Sequence, residues 1–235
     1  MTRLAVSGLG LLAAFTLGGC AAQGTRLHEA LLIDEARCEV RLAAVIQKTD
    51  APRMTDWGQA TAALLGAREG TKANYFVFLT DIGVKQVHDA LRQLGAQSRV
   101  VYQKSQVAEH KGIRPDNTPG DYLQGDPVQI FIEWKDGDRR RRRAYEDFFL
   151  EQTAVSGTET VKPWTPHFIF HGSGVLNNVP TGCLACTHDC PGGIIGNNQY
   201  PVAEPIPVLR ADWSKLPAPG TRVTVVIRPV PSGSP

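Results

Sequence analysis

Apolar and polar positions alternate over much of this chain. "CEVRLAAVIQ" (38–47), "YFVFLTD" (75–81), "VQIFIEW" (128–134), "HFIFHGSG" (167–174) and "RVTVVIRPV" (222–230) read as strands, either by alternation or as short apolar runs. One segment has the helical period instead. In "TDIGVKQVHDALRQLGA" (80–96), Val84, Val87, Leu91 and Leu94 share a face, Thr80 or Asp81 can cap the start, and Gly95 is a natural stop. His88 lies beside that face and reads as a structural histidine. "WGQATAALLGAREG" (57–70) has apolar residues at helical spacing ending at Gly66, and "YEDFFLEQ" (145–152) reads as a short helix. Asp136-Gly137, after "VQIFIEW", is a hairpin-turn signal. Residues 110–127, "HKGIRPDNTPGDYLQGDP", form a long Gly/Pro/Asp/Asn loop of the kind that is often functional. Strands outnumber helices, so the expected fold is α+β: an antiparallel β-rich domain with one main packed helix and a Cys-rich loop.

The first residues set the address. Arg3 precedes the apolar stretch "LAVSGLGLLAAFTLG", which is short and glycine-rich for a membrane span and ends at Leu17-Gly18-Gly19-Cys20. That layout resembles a bacterial lipoprotein signal, with cleavage before Cys20 and lipidation of its thiol; Ala21 leans toward the outer membrane. The expected organisation is a signal at 1–19, a lipidated Cys20 and tether over 20–30, a single domain over 31–229 and a disordered tail over 230–235. The expected location is the cell envelope, on the periplasmic face of the outer membrane. The partners it implies are the membrane, through the N-terminal lipid, and an envelope protein.

Charge adds little beyond one block. The chain carries a net +2, and a near-neutral mature domain gives no reason to expect a nucleic-acid partner. The block is Arg139–Arg143, on the returning strand of the hairpin, with Glu146 and Asp147 close by. It reads as a solvated edge strand protected from aggregation, or as a contact for anionic lipid headgroups or an acidic partner.

The candidate chemistry lies in "TGCLACTHDCPGGIIGNN" (181–198), where Cys183, Cys186 and Cys190 flank His188. Three readings stay open. In an oxidising compartment the four thiols left after Cys20, these three and Cys38, could form disulfides. The same three cysteines with His188 make a Cys₃His set suited to zinc, with Cys38, His167 or His171 as other sources of a fourth ligand. The third is an iron–sulfur cluster: the spacing C-x2-C-x3-C-P matches the last part of a ferredoxin run, but the position of its first cysteine is held by Pro180.

No complete catalytic signature is present. "GAREGTK" (66–72) lacks the spacing of a phosphate-binding loop, Ser173 lacks that of a nucleophile elbow, and no acid can be assigned to a His171–Ser173 pair.

Taken together, "NYFVFLTDIGVKQVHDALRQLGA", "GDPVQIFIEWKDGD" with "AYEDFF", and "PHFIFHGSGVLNN" resemble the YdjY-type domain of bacterial envelope proteins. In that family a strand ending in Thr-Asp or Ser-Asp leads into a helix ending in "ALxxLGA", followed by a "GDxVxVxVEW" strand. The resemblance covers most of residues 74–178. It implies the fold and an envelope location, and brings no catalytic residues. The expected function is a non-enzymatic, lipid-anchored binding or structural module with a disulfide- or metal-stapled cysteine loop; the alternative is a redox or electron-transfer protein using the cysteine cluster.

Overall fold

The computed structural model describes residues 26–28, 30–48, 65–100, 123–155, 158–176, 178–187, 190, 192–199 and 208–230. The signal segment, Cys20, most of the loop expected at 110–127, His188 and residues 231–235 lie outside them. Among the described residues, no helix is long and apolar enough to cross a membrane.

The chain builds a closed barrel. Its staves are β3 (Glu39–Ile46), β4 (Leu65–Ala67), β5 (Phe78–Thr80), β7 (Gln124–Asp136), β11 (Phe168–Phe170), β12 (Cys183–Ala185), β13 (Ile195–Asn197) and β15 (Arg222–Pro229). The order β3-β15-β7-β11-β13-β12-β4-β5 closes through pairing of β5 back onto β3. Pairing is antiparallel except for β12 with β13 and β4 with β5. Two further strands extend β3, in the order β1 (Arg26–His28), β2 (Leu31–Asp34), β3. Against β7 lie β6 (Ser98–Val100) and β8 (Arg139–Ala144). A separate sheet is formed by β10 (Thr158–Pro163), β9 (Phe149–Val155) and β14 (Val208–Ala211).

Alternation along the long staves explains the closure. In β3 the side chains of Val40, Leu42, Ala44 and Ile46 are buried; in β7 those of Val128, Ile130 and Ile132; in β15 those of Val223, Val225 and Ile227. With period two, each set faces one side, and the three strands pair in register to make a continuous apolar wall. The core is completed by aromatics. Tyr145 lies 4.9 Å from Phe149 and 5.5 Å from Phe78, ring centre to ring centre, and Trp164 stands edge-on to Phe168 at 5.5 Å. Tilted and edge-on contacts of this kind are the favoured arrangements for buried rings.

The main helix, α1 (Val84–Gln93), stands as expected, with Val87, Ala90 and Leu91 buried and the chain packed on β3 and β12. Its cap differs from the expectation. Gly83 is the N-cap, and its N–H donates to Gln86 Oε1 at 2.9 Å. Thr80 is used in the turn before the helix, where its Oγ1 accepts from Ile82 N at 3.1 Å and donates to Ala43 O at 2.7 Å. The hairpin turn falls at Gly137, with φ +59°.

The α+β expectation is corrected: the fold is mostly β, a closed barrel carrying one main helix. Three local readings change with it. The cysteine segment is not a loop, because it supplies β12 and β13 to the barrel wall. Residues 65–67 are a strand and not the end of a helix; a Cβ on Gly66 would come within 2.0 Å of the Phe76 ring, so this glycine makes room for an aromatic. Finally, 145–152 holds only a single 3-10 turn, Tyr145–Phe148, before β9 begins. Its aromatics are drawn into the core, where Phe148 and Phe149 are both buried.

Candidate functional site

The cysteine segment is built by close backbone approach. Gly182 and Gly70 meet so tightly that a Cβ on Gly70 would lie 2.3 Å from Gly182 Cα. This contact lets Ala67 N–H donate to Gly182 O at 2.8 Å and Thr71 N–H to Pro180 O at 2.9 Å. Thr181 then ties the segment to itself: its hydroxyl donates to Gly192 O at 2.6 Å and accepts from Cys183 N at 3.2 Å. On the far side, the amides of His171 and Gly172 donate to Ile194 O, and that of Gly174 to Gly193 O. The glycines and the proline that make the sequence look like a loop are thus the residues that let four backbone stretches pack together.

The three cysteines share one small apolar cluster. Cys183 and Cys186 are buried against Phe76 and Leu79, and half-buried Cys190 packs on the same group with Val45 and Tyr75. No disulfide bridges any of the three. Cys190 Sγ accepts from Gly192 N–H at 3.4 Å. Among the described residues, no group of three or more His, Cys, Asp and Glu side chains is arranged to hold a metal ion. A thiol buried among apolar side chains behaves as a small hydrophobe and is chemically inert.

Cys38 is disulfide-bonded, but to none of these three; it lies in the turn between β2 and β3 at φ +52°. Val45, which packs on the cysteine cluster, is seven residues further along β3, about 23 Å at the usual rise per residue. The structure therefore does not bring Cys38 to the cluster. His167 Nδ1 is bonded to Asn198 Oδ1 at 2.7 Å. His171 is fully buried, with Nδ1 accepting from Ser173 N–H at 3.2 Å. Ser173 is itself fully buried, which removes it as a nucleophile for any substrate in solution.

Sequence reasoning missed two arrangements. The first is Tyr145, fully buried, whose hydroxyl has no hydrogen-bond partner among the described residues. Burial pushes its pKa well above the ordinary value, and Cys183 and Cys186 nearby push it further. The second is a lattice of charges on the outer face of β3, β15, β7 and β8. Glu39 accepts from Arg228 at 2.6 Å, Arg41 at 2.8 Å and Arg142 at 3.1 Å, while Glu133 pairs with Arg41 and, at 3.2 Å, with Arg142. Arg142 also stacks over Phe131, its guanidinium carbon 4.2 Å from the ring centre. Burial raises the Glu39 pKa, but the three arginines outweigh it and hold the carboxyl below its usual range. The signal was present in the sequence: Glu39, Arg41 and Glu133 occupy outward positions between core residues, where an ion that becomes buried needs a partner.

A family model described as the YdjY domain matches residues 31–228 of the chain, whereas no curated protein and no solved structure matches it.

Proposed function

The chain belongs to the YdjY domain family, and from that premise we propose that it is a non-enzymatic module of the bacterial cell envelope, anchored by lipid at Cys20, that binds an envelope protein or stabilises an assembly. The observation that carries this reading is the filled core. Tyr145, Phe78, Phe148, Phe149 and Phe170 are fully buried in the main core, and Cys183 and Cys186 are buried in a separate small cluster with Phe76 and Leu79. Such a barrel offers its partners an outer surface and not a lumen. In this reading the cysteine segment is the structural seam that closes the barrel between β4 and β11.

The lipid anchor is supported by the Leu17-Gly18-Gly19-Cys20 sequence, only five residues before the first strand. The test is separation of inner and outer membranes on a density gradient. The wild-type chain is expected in the outer-membrane fraction. Recovery in the soluble fraction would overturn the reading.

A further inference from the structure

We propose that the β7–β8 hairpin is a contact site for the phosphates of anionic lipid headgroups. This rests on the lipid-anchored reading, which places the domain at a bilayer. The second edge of β8 pairs with no strand among the described residues, and all five of its arginines are exposed. Two are already engaged: Arg142 with Glu39 and Glu133, and Arg141 with Asp136 at 3.2 Å. Arg139, Arg140 and Arg143 form no ion pair with a described residue. Arg140 stands directly across from Lys135, and like charges facing each other across a ladder oppose folding. Between 135 and 143, six cations meet two carboxylates, Asp136 and Asp138.

A protective edge accounts for this poorly. Charged edges are typically protected by lysine, whereas β8 carries five arginines and no lysine. The guanidinium fork matches phosphate oxygens two at a time, which an ammonium does not. The hairpin also lacks the apolar anchors of a protein interface, since the exposed large hydrophobics among the described residues, Val161, Leu176 and Trp213, lie elsewhere.

The register makes the contact reachable. Arg143, Ile132, Val225, Leu42, Leu31 and His28 form one row across six paired strands, so β8 and β1 are the two edges of a single band. Five strand spacings make that band about 24 Å wide. The five residues between Cys20 and Arg26 can span up to about 20 Å. Rotation about so short a leash brings the arginine edge onto the surface to which the lipid is fixed.

The test uses the full lipidated protein on vesicles of phosphatidylcholine alone or with about one third phosphatidylglycerol, an anionic content that gives a strong surface potential. Trypsin cleavage within 139–143 is followed by mass spectrometry. Cleavage is expected to be about fivefold or more slower on the anionic vesicles, with the difference lost at high salt. It is also expected to be lost in R139Q/R140Q/R143Q, which keeps Arg141 and Arg142 as cleavage sites; a melting temperature no lower than that of wild type verifies the fold of this variant. Equal rates on the two vesicles would overturn the proposal. Flotation with the neutral vesicles reports the anchor separately. If neutral vesicles do not float the protein, the anchor reading fails; the hairpin proposal then stands only if anionic vesicles float the wild type and not the triple variant.

Discussion

Arg142 on β8 donates to Glu39 on β3 at 3.1 Å, reaching across the two strands that lie between them. With Arg41 crossing the opposite way from β3 to Glu133 on β7, this bond roofs the outer face of β15, where Val226 is fully buried. A face that would otherwise be an open side of the barrel becomes a second, ionic layer.

Removing one partner from such a layer leaves buried charge uncompensated. Glu39→Ala is expected to destabilise the protein by about 1–3 kcal/mol, because Arg228 loses its carboxylate while Arg41 and Arg142 keep Glu133 and the arginines are partly solvated. Chemical denaturation of the variant against wild type measures it. A change below about 1 kcal/mol would mean that water serves the arginines equally well.

Acid should weaken the same layer. The three arginines hold the folded-state pKa of Glu39 below that of an ordinary glutamate, so its contribution is fully present above the ordinary value and is lost as pH falls through the depressed one. Melting temperatures of wild type should fall over this acid range, and those of Glu39→Gln should fall less. Parallel curves for the two proteins would remove Glu39 as the cause.

Tyr145 gives the opposite sign. A buried hydroxyl without a partner costs about 1–3 kcal/mol of desolvation, so Tyr145→Phe should leave stability unchanged or raise it by about 1 kcal/mol. Marked destabilisation, read by the same denaturation, would show that the hydroxyl is bonded in solution.

The cysteine seam is most sensitive at its glycines. Gly182 has φ +77°, and a Cβ there would lie 2.5 Å from Gly70 Cα, backbone against backbone. Gly182→Ala should therefore cost about 1–3 kcal/mol or more. Cys186→Ala, which trims a small buried side chain, should cost less. The reverse order in thermal unfolding would make the thiols, and not the backbone contact, the basis of the seam.

How far the sequence could be read depended on where each element gets its stability. α1 was legible because Val84, Val87 and Leu91 set its period and Gly95 its end, all within one local stretch. The β7–β8 hairpin was legible for a similar reason, since Asp136-Gly137 separates two extended runs. The three-residue strands β4, β12 and β13 were not. Their own residues, Gly66, Cys183 and Gly196 among them, carry no strand signal, and they are extended because distant partners pair with them. The cysteine spacing was equally visible, but spacing alone did not indicate that Cys183 and Cys186 pack against Phe76 and Leu79. Nor could it place Arg142, read as one of five solvated arginines, opposite Glu39, a residue 103 positions away.

The central claim, a lipid-anchored envelope module, is tested most directly by metabolic labelling with an alkyne-bearing palmitate followed by isolation of the protein. Label on the wild type that disappears in Cys20→Ala is the predicted result. A mature wild-type protein that carries no label, with its N-terminus elsewhere than Cys20, would contradict it.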